Sequence, residues 1–579
     1  MNRARPINRH NSFPAEHGRL MIGVIAPPKQ SRVVEEFFQL FKTPWEFYRE
    51  GRAYDVLIST DREVAGANAR LFLIYGGDLT SLDVQMKVAI SSKHSSGNLD
   101  FQGIQVPIYE GLSVFSEAAG SEGCLPADAG MAGLRFRSRD RQVLRFGYDL
   151  FKETEFLLTA GQPANLAHIP TLEVHIQMLR TWILEAGLPL LEIPPTPSGH
   201  PFFTCLTHDI DFAGIKYHKL DHTVLGFLYR ATIGALGRWI KGGIRFGQLL
   251  RNWRAALSLP FVYAGWARDF WVPFDWYLNV EKGLGTTYFL IPFKGRAGEN
   301  LPVGHANKRA AAYDIADIPE WAGVLTRRGC EIGVHGIDAW HDVQKGREEL
   351  KRIASVTGES QVGIRMHWLL SNEDSSRTLE EAGYAYDSSS GYNESVGYRC
   401  GTTQVFRPPG AKRLLELPMH VQDGALFFPN RLGLSEPEAW QRCGALLENT
   451  KKYGGVLTLI WHDRSPQPER FWGGFYTKLL SELKSRGARF GTCLQVVDWF
   501  RKRRNVVFKP VEAPGKARRM TLGYSGGRIE PPLILRIHLA KDVVSDENQQ
   551  VDNPPAIDIS WSGESDVDLD DSFTLVPRA

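Results

Sequence analysis

Six cysteines, Cys124, Cys205, Cys330, Cys400, Cys443 and Cys493, are scattered through 579 residues without a CxxC pair. That spacing argues against a disulfide framework and for buried, reduced thiols in a cytoplasmic protein. Long apolar runs are missing too. No uninterrupted stretch of about 18 apolar residues occurs, so no membrane-spanning helix is expected. Residues 1–19 are polar and arginine-bearing, lack the apolar core of a secretory signal, and read as a disordered leader. Surplus charge is absent as well: a net charge of +3 and no nucleic-acid motif give no argument for a nucleic-acid partner. Nor is there a phosphate or dinucleotide loop, Gly76-Gly77-Asp78 being a single glycine-rich corner.

What is present is an ordinary globular composition, 43% hydrophobic and 23% charged, in a chain long enough for two to four domains. The informative stretch is Phe202-Phe203-Thr204-Cys205-Leu206-Thr207-His208-Asp209-Ile210-Asp211, an apolar strand ending in two carboxylates one residue apart. On a strand, residues i and i+2 share a face, so Asp209 and Asp211 converge and His208 does not. Either a cation sits opposite them or one of them caps a following helix. From Gly285 onward strand and helix alternate, and polar residues recur where strands stop: His335 after Cys330–Val334, Arg365 after Val362–Ile364, His420 near the end of Leu414–Leu417, and His462-Asp463 after Gly455–Trp461. Parallel strands whose C-terminal ends all carry chemistry predict a (β/α) barrel.

In these motifs the chain resembles the polysaccharide deacetylases of carbohydrate esterase family 4 over about Pro201 to Arg504. The resemblance implies an α/β fold, an incomplete (β/α) barrel of about seven strands over residues 198–506. It also implies one divalent metal, zinc by preference, and removal of an N-acyl group from an aminosugar or glycan. Asp209 matches the catalytic base and Asp211 a metal ligand, with His335 the second ligand in Gly333-Val334-His335-Gly336-Ile337-Asp338-Ala339-Trp340-His341. The family's second histidine is four residues on, where Ala339 stands here. His341 is six on, about 240° around a helix, and needs a non-helical turn to reach a metal; it is the expected third ligand, with Asp338 as substitute. Arg365 matches the motif arginine and is expected to hold the base. His462 matches the closing histidine, a general acid supported by Asp463 or Asp387. Trp340, His367, Trp461, Asp387 and Arg407 are expected to contact substrate. A His-x-x-Asp pattern is similar to that of deformylases acting on lipid-linked aminosugars, which extends the substrate expectation to a lipid-linked glycan in envelope synthesis. The altered histidine spacing keeps open a non-catalytic glycan-binding barrel, and the fold a metal-dependent cyclic amidase.

Three further regions flank this core. Residues 20–197 read as a separate α/β domain, with strands at Met21–Ala26, Tyr54–Ser59 and Leu71–Tyr75 and helices at Arg32–Phe41, Leu144–Leu158 and Thr171–Ala186. Within residues 215–275 the barrel carries an insertion. From Lys216 to Arg254 eight basic residues face one acid, Asp221, and are interleaved with Leu, Ile, Phe and Trp. That pattern predicts either an interfacial helix at the inner face of a membrane or a helix pair packed on the domain. Residues 507–579 read as a small β module with strands at Met520–Gly523, Leu533–Leu539 and Ala556–Trp561, or an acidic tail.

Overall fold

The computed structural model describes residues 21–569 except 63–66, 68, 117, 139–140, 220, 302–304, 512–518 and 540–554. The leader therefore lies outside the described residues, as do 540–554 and 570–579 of the C-terminal region.

Six parallel strands, Ile364–Met366, Glu331–Gly336, Thr286–Leu290, Phe203–Ile210, Val456–Ile460 and Val421–Gln422, stand side by side in that order. A short strand, Arg489–Phe490, pairs with the base of Phe203–Ile210. Beyond Ile364 the wall continues as single-residue parallel bridges to Asp387 and then Glu416. This is the expected α/β half-barrel. Strand alternation sorts its side chains as the sequence pattern requires. Leu206, Ile210, Val334 and Ile364 enter one apolar cluster with the surrounding helices, while Phe203, Cys205, Phe289 and Leu417 enter another. Each such large apolar side chain contributes about 1.5–3 kcal/mol when buried. Gly333 is required by this packing, since a Cβ there would lie 2.7 Å from the Phe289 ring.

The N-terminal region forms an eleven-stranded mixed sheet. Its parallel part pairs Ile22–Ile25, Tyr54–Ser59 and Ala69–Tyr75, with helix Ser31–Leu40 between the first two. The expected helix Leu144–Leu158 is corrected at its start: Gln142–Phe146 is a strand, Asp149 caps the turn, and the helix runs Leu150–Thr159. Six more strands between Ile90 and Arg137 carry polar residues on an open face. Past the N-terminal helices, Leu190–Glu192 pairs antiparallel with Leu533–His538, which in turn pairs with Ala556–Trp561.

Candidate metal centre and active site

Three strand exits meet at one point. Asp211 follows Phe203–Ile210, His335 lies on Glu331–Gly336, and His367 follows Ile364–Met366. Their ligand atoms all lie within 4.8 Å of one another, the one such group among the described residues. Asp211 Oδ1 is 3.3 Å from His335 Nε2 and 3.5 Å from His367 Nε2, yet it is buried and makes no hydrogen bond. The Nδ1 of His335 is 3.1 Å from the Arg365 carbonyl, a bond that needs Nδ1–H and so turns the Nε2 lone pair toward Asp211. Burial above all pushes His367 well below the usual imidazole range, leaving it in its neutral, ligating form. Burial opposes the charge of Asp211, but the neighbouring imidazoles of His335, His367 and His462 hold its carboxyl well below the ordinary range. An orphaned carboxylate oxygen facing two imidazole nitrogens fits a divalent cation.

The structure places the expected third ligand outside this group. His341 Nε2 is bound to Asp338 Oδ1 at 3.2 Å, and the same oxygen accepts the Glu299 amide at 2.8 Å. Both residues are thus spent in a turn that ties two loops together, and His367 stands where His341 was expected. That turn is held from below by Glu349, which accepts the Ile337 and Asp338 amides at 2.9 and 2.8 Å. Arg309, fully buried, donates to the carbonyls of Ile337 at 2.8 Å and His367 at 3.0 Å, clamping the His335 and His367 loops to each other. Directly after His367 the backbone turns through Trp368 and Leu369 at φ of 68° and 55°. Left-handed backbone at two bulky residues is costly and is concentrated beside the site.

Asp209 lies two residues before Asp211 and nearly buried. Arg365 Nη1 donates to Asp209 Oδ1 at 2.9 Å and to Thr207 Oγ1 at 2.7 Å, while Nε and Nη2 are satisfied by Ser388. Every charge in this buried pair has a partner, the condition under which burying one is tolerable. His208, out of step by one, points the other way, to the Trp461 carbonyl and Glu281.

The opposite side of the mouth carries His462, whose Nδ1 is 2.5 Å from Asp423 Oδ1. Burial alone would depress this imidazole, but Asp423, and more weakly Asp211 and Asp209, raise it to about 9, so it is cationic at neutral pH. The carboxylate bonded to His462 is thus Asp423, with Asp463 and Asp387 bonded to other groups. Asp463 Oδ2 instead accepts the Phe212 and Ala213 amides at 2.8 and 2.9 Å, shaping the loop after Asp211. Asp387 accepts a hydrogen bond from Ser389, and burial raises its carboxyl.

Other expected substrate contacts lie elsewhere. Trp461 is fully buried and stacked on Phe475, Trp340 belongs to the same core, and Arg407 reaches Glu35 and Glu36 of the N-terminal helix. The side chains of Asp211 and His462 remain 22% and 21% exposed, which marks the solvent edge of the mouth.

No family model and no curated protein matches the chain. Among solved structures it is similar to a polysaccharide deacetylase-like protein from Mycobacterium smegmatis, at 17% identity over 54% of this chain and 95% of that one, with a TM-score of 0.31. Similar too are Agd3, a carbohydrate deacetylase, at 10% over 95% and 98% with a TM-score of 0.35, and a probable polysaccharide deacetylase from Pseudomonas aeruginosa, at 15% over 52% and 94% with 0.31. The chain is an α/β protein with a six-strand parallel half-barrel, and its likeness to these deacetylases is one of low identity and low TM-score.

Proposed function

We propose that the protein is a metal-dependent amide hydrolase that removes an N-acyl group, acetyl or formyl, from an aminosugar within a glycan. The observation that carries this reading is the convergence on one mouth of the Asp211/His335/His367 group, an arginine-held carboxylate and an aspartate-paired cationic histidine. Asp211, His335 and His367 would hold a divalent ion, zinc by the chemistry of the donors, which supplies Lewis-acid polarisation and acidifies water when bound. Asp209 takes a proton from the attacking water, its position fixed by Arg365. His462, charged through Asp423, gives a proton to the departing sugar nitrogen, because an amine does not leave as an anion. The six free cysteines support a cytoplasmic setting, and a glycan carried on a lipid is the substrate form that setting favours.

The test is acyl release from N-acetylated and N-formylated aminosugar oligomers by the purified protein. Asp209→Asn keeps an oxygen for Arg365 and deletes the base, so kcat/KM should fall about 10²–10⁴-fold with metal content unchanged. Hydrolysis at the undiminished rate by that variant removes Asp209 from the reaction.

A further inference from the structure

The insertion after Asp211 folds as three helices, His222–Ala231, Ile233–Ile240 and Phe246–Tyr263. The last of them carries two apolar stripes. One, through Ala255, Leu259 and Val262, is buried with Val224, Phe227 and Trp271, and Leu249 is buried as well. The other, Phe246, Leu250, Trp253, Leu257 and Phe261, recurs at spacings of four, three, four and four and faces water. Of nineteen large apolar side chains exposed among the described residues, thirteen lie between Leu225 and Trp266. Ile240, Leu257 and Trp266 are 71%, 76% and 81% exposed. A patch so concentrated marks a binding surface.

Its charge identifies the occupant. Between Asp221 and Asp269 there is no acidic residue, whereas Arg230, Arg238, Lys241, Arg245, Arg251, Arg254 and Arg268 all fall there. Lys241, Arg245, Arg251 and Arg254 are exposed beside the outward stripe. A second copy of the chain would set this basic rim against itself with no carboxylate between, a repulsive arrangement. Apolar side chains with interleaved tryptophans inside a cationic rim instead match an acyl boundary beneath anionic headgroups. No described helix is long and apolar enough to cross a membrane, so the contact is one of lying on the surface.

We infer that this outward face docks the protein on an anionic lipid bilayer. Docking goes beyond the hydrolase reading and does not depend on it. The helices are fastened to the mouth: Glu469, in the segment after His462, is paired with Arg230 at 3.0 Å, its amide donates to Asn252 Oδ1 at 2.7 Å, and its carbonyl accepts from Arg238 at 3.0 Å. Asp269 binds the Ile215 and Lys216 amides just after Asp211 at 3.1 and 3.0 Å. A docked insertion therefore holds the barrel mouth beside the bilayer.

The test is flotation of the full chain with vesicles of phosphatidylcholine alone or mixed with phosphatidylglycerol, at low and high salt. The wild type should float with the mixed vesicles at low salt and far less at high salt. The combined variant Ile240→Ser, Leu257→Ser, Trp266→Ser removes exposed side chains that the core does not use, and should lose flotation more than tenfold at both salts. Lys241→Gln, Arg245→Gln, Arg254→Gln should lose the salt-sensitive part. Absence of flotation with mixed vesicles overturns the inference. So does equal flotation by the apolar variant, or self-association in sedimentation velocity that the apolar variant abolishes, which would make a second copy the occupant.

Discussion

The two flanks of the barrel mouth each place a carboxylate with a buried oxygen beside histidine, and they differ in how far that carboxylate is satisfied. Asp423 is saturated: His462 Nδ1, the His462 amide, the Gly424 amide and Ser465 Oγ all donate to it. Such a group gains most from a permanent cation, and His462 becomes that cation. Asp211 Oδ1 has no donor, and the two rings beside it are a neutral His367 and a His335 whose proton is spent on a carbonyl. Donor-rich surroundings make a proton-bearing pair, and donor-poor surroundings with convergent lone pairs make a place for a metal.

The largest effect should come from breaking the donor-poor flank. His367→Ala removes one of three converging donors and should lower metal affinity more than about 100-fold, above the loss typical of an outer residue. His341→Ala, outside the group, should leave metal content near one equivalent. Elemental analysis of the two variants beside wild type decides it, and loss of metal in His341→Ala with retention in His367→Ala would reverse the assignment.

Next in size is Arg309, which touches no ligand side chain and holds two ligand-bearing loops by their carbonyls. Arg309→Gln should reduce metal affinity about 10–100-fold, as removal of outer-shell support does. Competition with a chromophoric chelator measures it. If affinity is unchanged while the melting temperature falls, Arg309 supports the fold and not the site.

The donor-rich flank breaks differently, through pH. A rate that needs protonated His462 stays level at neutral pH and falls as pH rises through about 9. Asp423→Asn removes the strongest influence raising this imidazole and leaves the burial that lowers it, so the alkaline limb should move to lower pH, with at least about a tenfold loss near the old midpoint. The same coupling bears on stability. Because the folded value lies above the ordinary one of 6.5, its contribution is full below that pH and is lost as pH rises through about 9. A limb that does not move in Asp423→Asn would detach His462 from proton donation.

Legibility in the sequence followed the length and polarity of the elements. The barrel was readable because its longer strands are apolar and end in chemistry, and the i, i+2 rule placed Asp209 and Asp211 on one face with His208 opposite. The same rule applies to Arg365 and His367, two residues apart across the end of Ile364–Met366, and was the signal for the third member of the Asp211/His335 group. The family's paired-histidine motif drew attention to His341 instead. Asp423 gave less warning, since Val421–Gln422 is two residues long and periodicity has nothing to act on. The strands from Ile90 to Arg137 were missed for a related reason: their open faces carry polar residues, and Gly123 and Gly133 interrupt two of them.

The smallest expected effect belongs to Arg407, which the sequence offered as a substrate contact and the structure places in neither flank. Its guanidinium lies 3.5 Å from Glu36 and 3.6 Å from Glu35, and is 25% exposed. Glu36 does not depend on it, because Arg504 binds both of its oxygens at 2.7 Å and the Arg407 backbone amide donates at 2.8 Å. Arg407→Ala therefore strands no buried charge and keeps the amide contact. The cost should be that of a partly screened ion pair, below about 1 kcal/mol in denaturant melts, with KM and kcat unchanged. A several-fold rise in KM without loss of stability would return Arg407 to the substrate and show that the glycan reaches past the mouth to the N-terminal helix. Arg504→Ala sharpens the contrast. It leaves Glu36 buried with its weaker partner alone and should cost more than Arg407→Ala in the same melts, again without touching either flank.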